Sequence, residues 1–166
     1  TGLAESLEPE ALGRFVTAFR RRITAIVEAH GGLVDKFVGD GAVVLFGVLD
    51  AAPAGAVPEA AARALACART LTDEVVEADG RSITIAVGAH WGEVVAGAVG
   101  DDARLEFTVL GDAVNVAARL EEESKALGRP LVASRALVRA AGAEAAWSTL
   151  ATRTLRGRTG AIELMA

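Results

Sequence analysis

The chain is poor in the residues that most often carry redox, zinc or acyl-transfer chemistry. It has one cysteine, two histidines and no tyrosine among 166 residues. Its cysteine, Cys67, cannot form a disulfide within the chain and fits a reducing compartment, which predicts a cytoplasmic location. The sequence contains no Cys/His cluster with zinc spacing, no Gly-x-Ser-x-Gly elbow and no Gly-Lys-Ser/Thr ending of a P-loop. Structural zinc, hydrolase-elbow and P-loop chemistry are therefore not expected.

Long apolar runs and a basic surface are also missing. No stretch of about 18 apolar residues occurs, so we expect no direct insertion of this domain into a membrane. The net charge is −5, and the 17 basic residues are scattered along the chain. This argues against nucleic-acid binding, because a nucleic-acid interface needs clustered cations.

The apolar content is sufficient for one globular domain. Hydrophobic residues make up 52% of the chain, and a chain of this length buries roughly 70% of its unfolded surface. We treat residues 1–166 as a single domain, which begins at Thr1 and is expected to be part of a longer protein. Two residue types are rare: only Lys36 and Lys125 are lysine, against 15 arginines, and Asn115 is the only asparagine.

Hydrophobic periodicity and turn residues predict an α+β fold. Helices are predicted over Pro9–His30, from Pro58 to about Ala78, from Asp112 to about Leu127, and after the cap residue Ser134. Strands are predicted over Leu33–Val38, Ala42–Phe46, Ser82–Ala89, Glu93–Val99, Leu105–Leu110, Leu131–Ala133, Trp147–Leu155 and Ala161–Met165. The run Ser82–Ala89 is expected to pair with Glu93–Val99. This order predicts a mostly antiparallel sheet with helices packed on it.

The first candidate site is the predicted hairpin that contains Lys36 and Asp40. Asp-Gly is a favoured hairpin turn and lysine is common on strand edges, so a purely structural role is a strong alternative. A carboxylate between two glycines also suits a phosphate-bound Mg²⁺, which prefers hard oxygen ligands on a closely approaching backbone. The hairpin alone does not decide between the two interpretations.

The second candidate site is the pair Asn115 and Arg119, spaced i, i+4 on one face of a predicted helix. An amide and a guanidinium presented together suit a sugar oxygen and a phosphate oxygen. The alternative is that Asn115 caps locally while Arg119 pairs with Glu122 or Glu123. A third, weaker candidate is the pair Arg156 and Arg158 around a glycine, which more often marks a solvated turn.

Three longer stretches contain these residues in a characteristic order. They are Gly-Gly-Leu-Val-Asp-Lys-Phe-Val-Gly-Asp at 31–40, Val-Gly-Ala-His-Trp-Gly-Glu-Val-Val at 87–95, and Phe-Thr-Val-Leu-Gly-Asp-Ala-Val-Asn-Val-Ala-Ala-Arg-Leu at 107–120. Together they resemble the catalytic domain of the class III nucleotidyl cyclases. The signal is specific. Three motifs occur in order across about ninety residues, and the probabilities that each occurs by chance multiply.

The resemblance implies a ferredoxin-like βαββαβ core and a head-to-tail homodimer with two active sites at its interface. It implies conversion of a nucleoside triphosphate to its 3′,5′-cyclic monophosphate and pyrophosphate. The reaction would proceed by attack of the ribose 3′-oxygen on the α-phosphorus. Two Mg²⁺ or Mn²⁺ ions per site are the implied cofactors, in agreement with two-metal phosphoryl chemistry.

The resemblance also implies roles for individual residues. Asp40 matches the second metal-binding aspartate, and Lys36 matches the base-selecting lysine. Thr108 takes the partner position, where many family members have aspartate and a bacterial-type subgroup has threonine. The other implied roles are ribose and transition-state contacts for Asn115 and Arg119, β- and γ-phosphate binding for Arg156 with Arg158 as the substitute, phosphate binding by the backbone at Thr1 and Gly2, and substrate binding at Val109.

Lys36 and Thr108 favour ATP over GTP. A lysine donor suits the acceptor N1 of adenine, whereas the N1–H of guanine needs a carboxylate. The family's first metal-binding aspartate lies in a pattern like Phe-x-Asp-Ile-x-Gly-Phe-Thr, which would precede Thr1, so we expect it upstream in the longer protein. Two alternatives stay open at this point: a catalytically silent module that binds nucleotide or dimerises, and a guanylate cyclase.

Overall fold

The computed structural model describes residues 8–48, 57–78, 81–101, 104–154 and 160–166. In these residues it has four α-helices: α1 (Pro9–Ala29), α2 (Val57–Asp73), α3 (Asp112–Ala126) and α4 (Arg135–Ala140). Its strands are β1 (Leu33–Val38), β2 (Gly41–Leu45), β3 (Val75–Ala78), β4 (Arg81–Thr84), β5 (Val87–Ala89), β6 (Val95–Asp101), β7 (Arg104–Leu110), β8 (Leu131–Ser134), β9 (Thr149–Thr154) and β10 (Ala161–Met165). The predicted α+β composition is confirmed.

The central sheet has the strand order β5-β8-β10-β9. β5 and β8 run parallel, and β10 is antiparallel to both β8 and β9. Three further pairs, β1–β2, β3–β4 and β6–β7, are antiparallel hairpins. The prediction of a mostly antiparallel arrangement is therefore confirmed.

Two details of the predicted element order are wrong. The second helix ends at Asp73, because the β-branched residues that follow it form β3 and pair with β4. The run Ser82–Ala89 is divided into β4 and β5, and it does not pair with the strand that follows it. The edge of β5 is instead taken by β8, and β6 pairs with β7.

The first helix ends in a motif that also positions the first hairpin. The N–H of Gly32 donates to the carbonyl of Val27, and the N–H of Gly31 donates to that of Glu28, with Gly31 at φ 69°. This is the Schellman arrangement, which needs a residue that tolerates positive φ. The predicted helix stop at these two glycines is confirmed, and the chain enters β1 directly.

The buried residues form three apolar clusters that join helices to strands. The first lies between α2, α4 and the ends of β8 and β10, and the second joins α1 and α2 to the β1–β2 hairpin. The third joins α3 to the central sheet and includes Val116, Leu120, Val132 and Leu164, each at most 1% exposed. Among the described helices, none is long and apolar enough to cross a membrane.

Cys67 belongs to the second cluster, on α2. Its side chain is buried, and burial raises the pKa of its thiol to about 11. A thiol with a raised pKa is a poor nucleophile at neutral pH, so Cys67 serves as a small apolar residue of the core.

The backbone of α3 lies very close to the central sheet at Gly88 on β5. A Cβ placed on Gly88 would lie 2.1 Å from the amide nitrogen of Glu121 and 2.3 Å from the carbonyl oxygen of Ala117. Both atoms belong to the backbone of α3, so neither can rotate away. Glycine at this position therefore sets the distance between α3 and β5.

We predict that Gly88→Ala lowers the free energy of unfolding by about 3 kcal/mol, because α3 must shift away from the sheet. Gly13→Ala is the matched control, since Gly13 is exposed on α1 and a Cβ there would meet nothing within 4 Å. That control should be neutral or more stable by up to about 1 kcal/mol. Urea denaturation measures both, and equal stabilities of the two variants would contradict the close packing.

Candidate active site

The β1–β2 hairpin presents Asp40 at its tip and Lys36 along its side. Val38 pairs with Gly41, so Gly39 and Asp40 form a two-residue turn, with Gly39 at φ 60°. The register shifts between Val34 and Lys36, which is a β-bulge. Bulges change the direction of the side chains that follow them, and this one precedes Lys36.

Contacts with α1 hold this hairpin in place. Phe37 packs against the apolar cluster that includes Ile26 and Val27. The guanidinium of Arg20 lies 4.9 Å from the centroid of the Phe37 ring, a cation–π contact between α1 and β1. Lys36 is therefore displayed on a supported strand and not on a free loop.

Lys36 contacts Thr108, which lies 72 residues further along the chain on β7. The Lys36 Nζ donates a hydrogen bond of 2.9 Å to the Thr108 Oγ1. The neighbouring Val109 is 7% exposed and anchors β7, and Gly97 of β6 lies opposite Thr108 in the hairpin register. The structure thus brings together the two residues for which the sequence predicts base selection.

Asn115 and Arg119 lie on the first turns of α3, as the spacing predicted. Val116 and Leu120 are 1% and 0% exposed and face the core, whereas Asn115 is exposed and Arg119 is half-buried. The Arg119 Nη1 donates to both carboxylate oxygens of Glu122, at 3.1 and 3.0 Å. Of the two acidic partners considered for Arg119, the structure shows Glu122.

Arg119 can readily exchange Glu122 for another acidic partner, because the ion pair between them is weak. Both side chains are solvated, with 39% and 62% of their surfaces exposed. Exposed ion pairs at i, i+3 spacing contribute only about 0.5 kcal/mol. A multiply charged anion can therefore displace Glu122 from Arg119 at little cost.

Asp40 is exposed at the hairpin tip, near the end of α3. The pKa of Lys125 is raised chiefly by its hydrogen bond to Glu121, and the charges of Asp40 and Glu122 contribute to the same shift. The described part of the chain contains no group of three or more His, Cys, Asp or Glu side chains suited to a metal ion. Asp40 provides one hard oxygen ligand, which fits Mg²⁺ only if water, phosphate or further carboxylates supply the rest.

Several predicted site residues lie outside the described residues. These are Thr1, Gly2, Arg156 and its substitute Arg158. Sequence reasoning also missed one residue, Asp35, whose carboxylate Oδ2 lies 3.4 Å from the Lys36 Nζ. In a regular strand Asp35 and Lys36 would point to opposite faces, and the bulge between Val34 and Lys36 interrupts that alternation.

The surface next to Lys36 and Thr108 is apolar. Val38 of β1 is 60% exposed, and Phe107, on the opposite face of the β6–β7 hairpin from Thr108, is 43% exposed. Three large hydrophobic residues share the face of Thr108 and are between 49% and 71% exposed: Val95, Val99 and Leu110. An open cleft of about 390 Å³ adjoins them, lined by Glu93, Val94, Val95, Leu110 and Gly111. Exposed apolar residues that cluster in this way mark surfaces that bind other molecules.

The sequence matches a family model and is similar to several known proteins. Residues 1–149 match the model described as the adenylate and guanylate cyclase catalytic domain. An adenylate cyclase of Anabaena cylindrica is 32% identical over 143 residues, which cover 84% of this chain and 28% of that protein. An uncharacterised protein of Mycobacterium tuberculosis (strain H37Rv) is 36% identical over 166 residues, 99% of this chain and 30% of that protein. The chain thus spans about 30% of these relatives' length.

Solved structures show the same fold. The adenylyl cyclase CyaB from P. aeruginosa superposes with a TM-score of 0.81 at 22% identity, covering 99% of this chain and 85% of that chain. A bacterial light-regulated adenylyl cyclase superposes with a TM-score of 0.77 at 27% identity, covering 99% of this chain and 47% of that chain. The predicted nucleotide cyclase fold is confirmed.

We predict that Lys36 and Thr108 are energetically coupled in the folded protein. In a double-mutant cycle with Lys36→Met and Thr108→Val, the interaction energy should be about 1 kcal/mol, the value of a partly exposed charged hydrogen bond. The control cycle pairs Lys125→Met with Thr108→Val and should be additive within about 0.5 kcal/mol. Urea denaturation of the six proteins measures both cycles, and an additive first cycle would contradict the contact.

Proposed function

This chain belongs to the class III nucleotide cyclases, the family whose adenylate and guanylate cyclase catalytic domain matches residues 1–149, and from that premise we propose that it is an adenylate cyclase. It converts ATP to 3′,5′-cyclic AMP and pyrophosphate at the interface of a homodimer, in the cytoplasm. The observation that supports the choice of ATP is the hydrogen bond between Lys36 and Thr108.

Base selection follows from the donors of Lys36. An ammonium group has three N–H donors and no acceptor. One donor is engaged by Thr108, and another can meet the N1 acceptor of adenine. Guanine presents an N–H at that position, which would face the ammonium and leave both donors unpaired. An unpaired polar group in a binding site costs about 1–3 kcal/mol, enough for a clear preference for ATP.

We assign binding of the ribose to α3, and binding of the phosphates to α3 and to the other residues for which the sequence predicts phosphate contacts. The Asn115 amide orients the ribose, and Arg119 exchanges Glu122 for a phosphate oxygen, since its ion pair in the free protein is weak. Arg156 binds the β- and γ-phosphates, with Arg158 as its substitute, and the backbone amides at Thr1 and Gly2 hold phosphate oxygens. Val109, the neighbour of Thr108 on β7, is assigned to the part of the site that binds the adenine base.

In the proposed reaction the ribose 3′-oxygen forms a bond to the α-phosphorus while the bond to the pyrophosphate oxygen breaks, and the hydroxyl proton is released. Arg119 opposes the negative charge that develops on the α-phosphate oxygens. Asp40 would hold Mg²⁺ or Mn²⁺ through its carboxylate. Such ions, when bound, neutralise phosphate charge and activate the attacking oxygen.

The homodimer is proposed from the apolar surface around the two hairpins. Val95, Val99 and Leu110 share the face of Thr108 on the β6–β7 hairpin and expose between 49% and 71% of their surface. Burying this surface against a second copy removes apolar area from water. A two-fold arrangement would then place Asp40 of one chain near the Lys36, Asn115 and Arg119 of the other.

We predict that Asp40→Ala and Asn115→Ala each lower kcat for cyclic AMP formation in the full-length protein by about 100-fold or more, because each removes a group that acts on the reacting phosphate and ribose. Asp73→Ala is the control, an exposed aspartate at the end of α2, and it should leave kcat unchanged. Unchanged turnover in either site variant would refute the role of that residue. Stabilisation by ATP without product would instead indicate a catalytically silent module.

We predict a higher kcat/KM for ATP than for GTP, by at least about tenfold, which corresponds to one unpaired polar contact. Lys36→Glu should reverse the preference, because a carboxylate accepts the N1–H of guanine. Product formation from each nucleotide, followed by chromatography, measures both ratios. A wild-type protein that makes cyclic GMP faster than cyclic AMP would contradict the assignment.

A further inference from the structure

Asp35 is an unusual residue for its position, because its carboxylate is buried. The side chain is 2% exposed, although the residue as a whole is half-buried through its backbone. Oδ1 of Asp35 is buried and has no hydrogen-bond partner among the described residues. Burying a carboxylate is unfavourable unless a partner compensates, so the surroundings of Asp35 have to supply one.

The described partner of Asp35 is Lys36. Oδ2 of Asp35 lies 3.4 Å from the Lys36 Nζ, which is ion-pair distance. The nearby side chains of Val34, Phe37 and Val44 belong to the apolar cluster under the hairpin and offer no charge. The ammonium of Lys36 is therefore the charge that compensates this carboxylate.

Lys36 is thereby held between two acceptors. Its Nζ donates to Thr108 at 2.9 Å on one side and faces Asp35 at 3.4 Å on the other. A lysine side chain has four rotatable bonds and is normally mobile, so two fixed partners restrict it strongly. The third N–H is then aimed before any ligand arrives, which is the preorganisation that a selective site needs.

Thr108 makes this arrangement necessary. An aspartate at this position would give the lysine a counter-charge. Threonine is neutral and accepts a hydrogen bond without supplying charge. In this chain the counter-charge beside Lys36 is on Asp35, which reaches it from the preceding residue on β1.

We infer that Asp35 is a positioning residue that orients Lys36 and supplies its counter-charge for recognition of the adenine base. The inference rests on the proposed adenylate cyclase function. Asp35 acts through Lys36 and does not touch the nucleotide, because its buried oxygens are not accessible to a ligand.

The first test uses Asp35→Asn in the full-length protein, which keeps the shape of the side chain and removes its charge. KM for ATP should rise about tenfold, and the kcat/KM ratio of ATP over GTP should fall by a similar factor, while kcat changes less than about threefold. Asp73→Asn, an exposed aspartate on α2, is the matched control and should behave as wild type. An Asp35→Asn protein with wild-type KM and selectivity overturns the inference.

A rescue experiment separates positioning from a structural role. Thr108→Asp places a carboxylate on the other side of Lys36, so the double variant Asp35→Asn/Thr108→Asp should recover the preference for ATP over GTP. A residue that served only the stability of the hairpin would not be rescued in this way. A double variant as unselective as Asp35→Asn overturns the inference.

A second measurement needs neither turnover nor a stable Asp35 variant. The NMR order parameter of the Lys36 ammonium group in the ligand-free wild-type protein, assigned with Lys36→Arg, should exceed that of Lys125. The Lys125 side chain is 63% exposed and pairs with Glu121 one turn away on the surface of α3, which restricts a lysine less than two partners from two strands. Equal mobility of the two lysines overturns the inference. Absence of cyclic nucleotide formation by the wild type refutes the proposed function instead, and the NMR result then still tests the anchoring of Lys36.

Discussion

The hydrogen bond from Lys36 to Thr108 is the contact on which the candidate site depends. It joins β1 to β7, two strands of separate hairpins that lie 72 residues apart in sequence. Other contacts hold each of the two strands in place. The apolar cluster under α1 holds β1, and pairing with β6 along its whole length holds β7. The bond therefore does not create the fold. It sets the relative position of two groups that the fold has already brought to the same surface.

The supporting structure explains why this small contact can be specific. Gly88 lets α3 approach β5, which fixes the helix that presents Asn115 and Arg119. The bulge before Lys36 leaves the Asp35 carboxylate buried beside the ammonium group. A lysine held by two partners and an arginine that can exchange its partner thus lie on rigid elements, the arrangement that favours tight positioning of a ligand.

Much of this could be predicted from local sequence. The Gly39-Asp40 turn, the stop at Gly31 and the face shared by Asn115 and Arg119 follow from turn chemistry and helical spacing. Long-range pairing could not be predicted: β5 pairs with β8, 44 residues away in the Val87↔Leu131 pair, and not with its neighbour in sequence. Burial of Asp35 could not be predicted either. The alternation of side chains between the two faces of a strand is interrupted at a bulge, and this bulge is visible only in the folded structure.

In the described part of one chain, Lys36 contacts Thr108, Asn115 and Arg119 share one face of α3, and Asp40 is exposed at the tip of the first hairpin. Exposed apolar residues lie on the Thr108 face of the β6–β7 hairpin. The central claim is that two chains complete each site. Mixing full-length Asp40→Ala and Lys36→Ala proteins tests it most directly, since each variant alone should have lost both sites for ATP, whereas the heterodimer should regain one intact site of two. Equal mixtures should recover about a quarter of wild-type cyclic AMP formation, because half of randomly formed dimers are mixed. Activity no greater than that of the separate variants, in mixtures where subunit exchange is demonstrated, would contradict the account.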